Sequence, residues 1–357
     1  MAWGWPFWQR GWVANSKQFF RRTSSTVQIR HPESSGWRFC LGNFIGKTGG
    51  GWLTRGVSKP THHGTIAGSL LLVVFFWGGN NVATKWLVAT WPPVFTGSVR
   101  FLAGGIVLLG VLRFTPWLGA FQVLTPALRR ALWLRAGLAL AAYIVAFNWA
   151  LRLTSAAHVA LYLGASPVWL VVAEGRRGTV GERLIRWGAA ALAVAGVLVL
   201  SWPALHGGTL HLGGEIVGLF ASFLWAAYSH QVRPLNAQLN GTEVAAHTMW
   251  MAGVWLLPVG LLELWQRTIP LDAKSLGVMG FCVVFGAVIP YALWNSALRH
   301  WRASQVMLFA NLIPLSTSLW ALVFLGEPMT HTFWLAMILV VAGVCLGQSH
   351  WLKGKQG

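Results

Sequence analysis

From about residue 67 onward, long apolar runs alternate with short connectors, ten times over. The runs fall near 67–88, 94–112, 131–151, 156–174, 187–203, 213–231, 244–265, 276–298, 303–325 and 332–350. Each is long enough, or nearly so, to cross about 30 Å of hydrocarbon as a helix. Lipid offers no partner to a bare N–H or C=O, so a spanning segment must satisfy its own backbone. A β-barrel would show short strands of alternating polarity, and these runs do not alternate. The connectors carry turn residues, such as Trp91-Pro92-Pro93, Ser201-Trp202-Pro203 and Gly326-Glu327-Pro328. The pattern predicts an all-α integral membrane protein of about ten transmembrane helices.

Composition agrees. Hydrophobic residues make up 55% of the 357 and charged residues 10%, against about 25% charged in soluble domains. The formal charge of +19 raises the question of nucleic-acid binding. The basic residues are scattered among short connectors rather than gathered on one face, so no nucleic-acid partner is expected. They act instead as a topology signal. With the N-terminus inside, the inner connectors and tail hold Arg113, Arg129, Arg130, Arg135, Arg176, Arg177, Arg183, Arg186, Arg233, Arg299, Arg302, Lys353 and Lys355. The outer connectors hold only Arg152, Arg267 and Lys274. Both termini are therefore expected in the cytoplasm, in a multi-pass protein of the cell (inner) membrane.

Residues 1–65 read differently. They are basic and rich in Ser, Thr, Gly and Trp, with Glu33 the single acid. No apolar signal-peptide core follows the early charges. The segment is expected to be a disordered basic extension, with a start near Val57 or an organelle transit peptide as the other readings. Residues 351–357 form a short cytoplasmic tail.

The body contains an internal repeat. Asn148-Trp149-Ala150-Leu151-Arg152 matches Asn295-Ser296-Ala297-Leu298-Arg299 at a shift of 147 residues. The same shift pairs Pro167 with Pro314 and Ala195-Gly196-Val197 with Ala342-Gly343-Val344, and a shift of 148 pairs Trp77 with Trp225 and Lys85 with Arg233. Each copy, 66–205 and 212–350, holds an odd number of spans, so consecutive copies insert in opposite directions. Two inverted five-helix repeats are a common architecture of secondary transporters.

These residues resemble the EamA family of the drug/metabolite transporter superfamily. The first span and its exit, Phe76-Trp77-Gly78-Gly79-Asn80-Asn81-Val82-Ala83-Thr84-Lys85, are similar to the family's opening pattern. So are Pro92-Pro93 with Ser98-Val99-Arg100-Phe101-Leu102, and the junctions Asn148-Trp149-Ala150-Leu151 with Pro167 and Asn295-Ser296-Ala297-Leu298 with Pro314. Gly181-Glu182-Arg183 and Gly326-Glu327-Pro328 resemble the acidic turn closing each repeat, although the turn after Glu182 is two residues shorter. The resemblance spans about 66–350. It implies ten spans with cytoplasmic ends, and export or exchange of small metabolites, often amino acids.

Candidate site residues follow from cost. A charge inside a membrane faces a cavity or a partner. Lys85 lies near the outer end of the first span, and Arg100 about six residues into the second, roughly 9 Å at 1.5 Å per residue. With no acid deep in any span, both read as unpaired cations that attract a carboxylate. Pro167 and Pro314 are matched helix breaks or hinges, with Asn311 beside the latter. Asn80, Asn148, His158, Tyr162, Tyr228, Asn295 and Gln305 complete a polar lining, and each is alternatively helix-to-helix glue. Trp169 and Trp225 are the deep tryptophans.

No phosphate loop, zinc pair or nucleophile elbow occurs, and no metal or cofactor is expected. The chain thus reads as a secondary transporter, not an enzyme, exporting amino acids or related carboxylates by alternating access. Drug or nucleotide-sugar transport on the same fold is the alternative, and a membrane enzyme or assembly factor the remote one. Expected partners are a small-molecule substrate, membrane lipid and, optionally, a second copy in a homodimer. Inversion of the repeats predicts that cysteines introduced near residues 152 and 299 label from opposite sides of the membrane. Labelling from the same side would exclude it.

Overall fold

The computed structural model describes residues 63–353, apart from 116–117, 119–120, 167, 170–178, 208, 266, 302–305 and 307–308. The leader, Pro167 and Gln305 lie outside the described residues. Helix α1 (His63–Thr90) is followed by α2 (Pro93–Phe114) and α3 (Pro126–Ala131). The last runs through a π-helical segment, Leu132–Gly137, into α4 (Leu138–Leu153). Next come α5 (Ala156–Gly164) and α6 (Val180–Gly207). The second half holds α7 (Thr209–Val232), α8 (Gly241–Trp265) and α9 (Ala273–Val283), which passes through a π-helical segment, Val284–Val288, into α10 (Ile289–His300). Helices α11 (Ile313–Leu325) and α12 (His331–Lys353) close the chain. Among the described residues there is no strand. Seven helical stretches are long and apolar enough to cross a membrane, and Ile313–Leu325 and His331–Leu346 are shorter apolar helices.

The packing follows the inverted repeat. Helix α1 lies against α9, α10 and α11, while α7, its counterpart, lies against α4 and α5. Two homologous helix pairs cross between the repeats, α2 with α8 and α6 with α12. Water does not drive helices together in lipid, so small residues that let backbones approach carry the contact. A Cβ on Gly105 would meet the Trp250 backbone N and Ala246 O. One on Gly253 would meet the Leu102 N and Cα, within 2.8 Å. Gly196 and Gly343 play the same paired part between α6 and α12, against Ala336 O and Ala189 O. Outward, Leu71, Leu72, Phe75, Leu319, Val323 and Phe324 are exposed, the apolar coat a lipid-embedded bundle needs.

Helix ends decide what reaches the interior. Glu263, near the end of α8, accepts from the N–H groups of Val94 (2.8 Å) and Phe95 (3.3 Å). It thereby places an anion at the positive end of α2. Ser155 caps α5, its Oγ accepting from His158 N at 3.1 Å. Gly326 takes φ 67°, a left-handed cap that suits glycine. The following Glu327 N–H donates back to Ala321 O at 3.2 Å.

Pro314 lies at an interruption within its apolar run, since residues 309–310 are helical and 311–312 form a turn. It sits in the first turn of α11, where its missing N–H has no intrahelical partner to lose. The short turn after Glu182 also has a cause. Glu182 lies in the first turn of α6, accepting from Thr179 N (3.0 Å) while its own N–H donates to Thr179 Oγ1 (3.3 Å). This is a capping box.

Gly253→Leu should destabilise the purified protein by about 1–3 kcal/mol through overpacking. Gly110→Ala, where a Cβ meets nothing within 4 Å, should cost no stability and raise it by up to about 1 kcal/mol. Thermal unfolding in detergent reads both.

Candidate transport site

The chain reversal between α4 and α5 leaves carbonyls at the end of one helix and N–H groups at the start of the next. Charges from both repeats meet them. Lys85, on α1, donates to Leu151 O (3.0 Å) and Thr154 O (2.5 Å). Glu327, placed by Gly326 in the α11–α12 turn, accepts from Ala156 N at 3.1 Å and Ala157 N at 3.5 Å. Both arrangements suit the helix dipoles. Lys85 Nζ and Glu327 Oε1 then pair at 3.7 Å. Alongside, Glu215 on α7 accepts from Thr154 Oγ1 (2.6 Å), bonds His158 Nδ1 (2.9 Å) and accepts from the Tyr162 hydroxyl. The Tyr162 hydroxyl also meets Ser201 Oγ at 2.8 Å. Lys85, Thr154, His158 and Tyr162 belong to the first repeat, and Glu215 and Glu327 to the second. The network therefore fastens the repeats together at this end.

Arg100 is different. It is buried, 6% exposed, on α2. Nη1 donates to Thr84 Oγ1 at 2.8 Å, and Nε has no partner. No carboxylate lies within ion-pair distance among the described residues. The guanidinium lies 4.4 Å from the Phe101 ring centroid and 6.0 Å from that of Phe147, contacts that stabilise a desolvated cation. Its titratable neighbours are Cys282, Tyr143 and Tyr291. Aromatic rings extend the cluster. Trp77 packs on Tyr291 (5.6 Å) and Trp225 on Tyr143 (5.0 Å), and Trp225 continues to Tyr228 (5.4 Å). A planar fork of donors set among rings from both repeats can take a carboxylate, with faces for an apolar or cationic remainder.

The structure separates the sequence candidates into groups. Lys85 is not an unpaired cation, because Glu327 and two carbonyls hold it. His158 and Tyr162 join the Glu215 network. Asn80 and Asn148 are buried, each with an unpartnered Oδ1. Asn148 Nδ2 donates to Pro93 O at 2.7 Å, and Asn80 lies against Gly286 in the second π-helical segment. The Tyr228 hydroxyl bonds Thr248 Oγ1 at 3.0 Å. Asn295 donates to Tyr291 O within its own helix (2.8 Å). Asn311 turns to Cys345 on α12 (3.8 Å), away from the cluster. The end of α5 meets the start of α11, since a Cβ on Gly164 would lie 3.2 Å from Pro314 Cγ. Trp169 donates to Ser222 Oγ (3.1 Å), so it bridges helices. Sequence reasoning missed Glu215 as a network centre, and also Thr84, Cys282, Tyr143 and Tyr291. A signal for the last two existed. The chain has 4 tyrosines, and Tyr143 and Tyr291 stand at the same shift that relates Trp77 to Trp225.

In a double-mutant cycle, Lys85→Met and Glu327→Gln should each destabilise the protein. Their combined effect should fall short of additivity by about 0.5–3 kcal/mol. Full additivity in detergent unfolding would mean the pair is not coupled.

Comparison with known proteins places this geometry. The sequence profile described as the EamA-like transporter family matches residues 65–202 and 212–347. A probable amino-acid metabolite efflux pump of Salmonella typhimurium (strain LT2) is 26% identical over 77% of this chain and 91% of its own length. The Escherichia coli (strain K12) protein named uncharacterized inner membrane transporter YedA is 25% identical over 79% of this chain and 90% of its own. A solved protein crystal structure superposes with TM-score 0.55 at 17% identity, covering 82% of this chain and 99% of that one, and so shares the fold.

Proposed function

The chain belongs to the EamA-like transporter family and is a membrane transporter of small molecules, and from that premise we propose that its cargo is an amphiphilic carboxylate such as an amino acid. The observation that carries the reading is Arg100, a buried cation between the repeats with no acid partner among the described residues. A buried charge left unpaired is costly. A cargo carboxylate supplies the counter-charge and recovers part of that cost. The Trp77–Tyr291 and Trp225–Tyr143 pairs flank it and receive the rest of the solute, including an ammonium through cation–π attraction. Thr84 orients the guanidinium. Asn80 and Asn148 offer unpartnered oxygens to donors on the cargo.

Transport proceeds by alternating access. In this reading the two units, 66–205 and 212–350, rock against each other, and the Lys85–Glu327–Glu215 network is the latch of the outer end. Both termini face the cytoplasm, on the loop-charge asymmetry. Export is the direction, by analogy with the name of the Salmonella relative.

Arg100→Ala should lower carboxylate flux in proteoliposomes about tenfold to a hundredfold, as loss of a hydrogen bond to a charged group, ~1.5–3 kcal/mol, requires. Arg100→Lys should retain part of the flux, and amide analogues of the cargo should lose nothing further in the alanine variant. Undiminished flux of every carboxylate through Arg100→Ala would exclude the assignment.

A further inference from the structure

The end of the bundle opposite the Lys85 network holds an acid that the transport reading leaves unused. Glu243, in the first turn of α8, is fully buried. Oε1 accepts from Gln122 N at 2.8 Å, and Oε2 is buried without a partner. Every other described acid is engaged. Glu215 and Glu327 have the partners given above, and Glu263 accepts from two backbone N–H groups. Glu182 pairs with Arg186, and Asp272 caps α9 through Ser275 N. Among the described acids Glu243 alone leaves a buried oxygen unpartnered.

Its surroundings offer no compensating charge. His247, one turn along α8, is 6% exposed. Its Nδ1 accepts from Trp250 Nε1 at 3.2 Å. An indole N–H only donates, so Nδ1 carries no proton and the imidazole is neutral. The charged and titratable groups on the elements that touch α8 are Arg100 and Arg113 on α2, Arg129 and Arg130 on α3, Arg135 in the first π-helical segment, Tyr143 and Arg152 on α4, Tyr228 on α7, which bonds Thr248, Arg233 in the α7–α8 connector, and Tyr291 and His300 on α10. The α2–α3 connector, whose Leu118, Phe121 and Gln122 touch this end, contains no charged residue. None of the described groups forms an ion pair with Glu243. A buried carboxyl with no counter-charge and a free oxygen is stable as the neutral acid, since an uncompensated carboxylate in apolar surroundings is far costlier.

The same acid is also a fastener. Gln122 belongs to the first repeat and Glu243 to the second. Beside them Asn240 Nδ2 donates to Leu118 O at 2.5 Å. The Phe121 ring lies 6.1 Å from that of His247. Parting this end breaks those contacts and brings water to the carboxyl.

We propose that Glu243 is a proton-binding site that locks this end of the bundle, holding a proton while the end is closed and releasing it as the end opens. The inference extends the alternating-access reading by naming what regulates one gate. By linkage, a state that binds more protons is favoured as pH falls. Acidification therefore closes this end and alkalinisation frees it.

The test uses the full chain in liposomes and the proton itself as ligand, with no solute required. Amide hydrogen exchange of peptides covering 121–125, corrected for intrinsic pH dependence, should show about tenfold loss of protection per pH unit above the release point. Glu243→Gln, which keeps the acceptor for Gln122 N–H, should stay protected at every pH. It should also lose a protonated-carboxyl infrared band that the wild type shows at neutral pH. Protection in the wild type that is flat with pH, or a neutral-pH spectrum without that band, overturns the proposal, and neither reading needs the variant to fold. Failure of the transport reading looks different: no carboxylate would move through the wild type, while exchange and infrared signals stayed as described.

Discussion

The reversal of the chain between α4 and α5 imposes the constraint on which the rest depends. At this partly buried reversal the last carbonyls of one helix and the first N–H groups of the next lack intrahelical partners. Lys85 meets the carbonyls of Leu151 and Thr154, and Glu327 meets the N–H groups of Ala156 and Ala157. Each charge compensates a helix end and the two compensate each other, so removing either leaves backbone groups of the reversal without their side-chain partner. One partner comes from each repeat, so a local requirement of the backbone becomes a bond between the halves. Glu215 widens it through Thr154, His158 and Tyr162.

Apolar and aromatic contacts obey the inverted symmetry closely. Trp77 on Tyr291 and Trp225 on Tyr143 are one contact made twice. Gly105 with Gly253, and Gly196 with Gly343, are close approaches made once from each side. Polar ends break that symmetry. Glu182 is drawn into the first turn of α6 by Thr179, whereas Glu327 stays in an extended turn and reaches α5. A carrier whose two ends were fastened alike would have no preferred conformation. Unequal ends give it one, with a different chemistry to undo at each side. The central Arg100 lies between them, in an environment whose main polar contact is Thr84.

Much of the architecture was legible. Ten apolar runs, their turns and the repeat shift lead to the helices found, because lipid leaves the backbone a single economical choice and because hydropathy is a property of each residue taken alone. Lys85 and Arg100 stood out together for the same reason, each a charge within an apolar run, and the sequence did not separate them. Pairing was not legible. Glu327 sits in a connector 242 positions beyond Lys85, and nothing local says that the two meet. Pro314 follows a turn at 311–312 within its apolar run, and the sequence alone does not say on which side of a proline the helix is interrupted. Asn311, three residues earlier, lies in that turn and donates to Cys345 Sγ.

The amino-acid sequence by itself determined what depends on summed transfer energy and on repetition: a membrane bundle, two inverted copies, and two cations, Lys85 and Arg100, within apolar runs. Only the tertiary structure decided which charges have a charged partner and which do not. Lys85 is paired with Glu327, whereas Arg100 and Glu243 have no ion-pair partner among the described residues. The physical reason is that compensation of a buried charge is a matter of a few ångströms in space, and distances of that kind between remote helices are set by packing rather than by position along the chain.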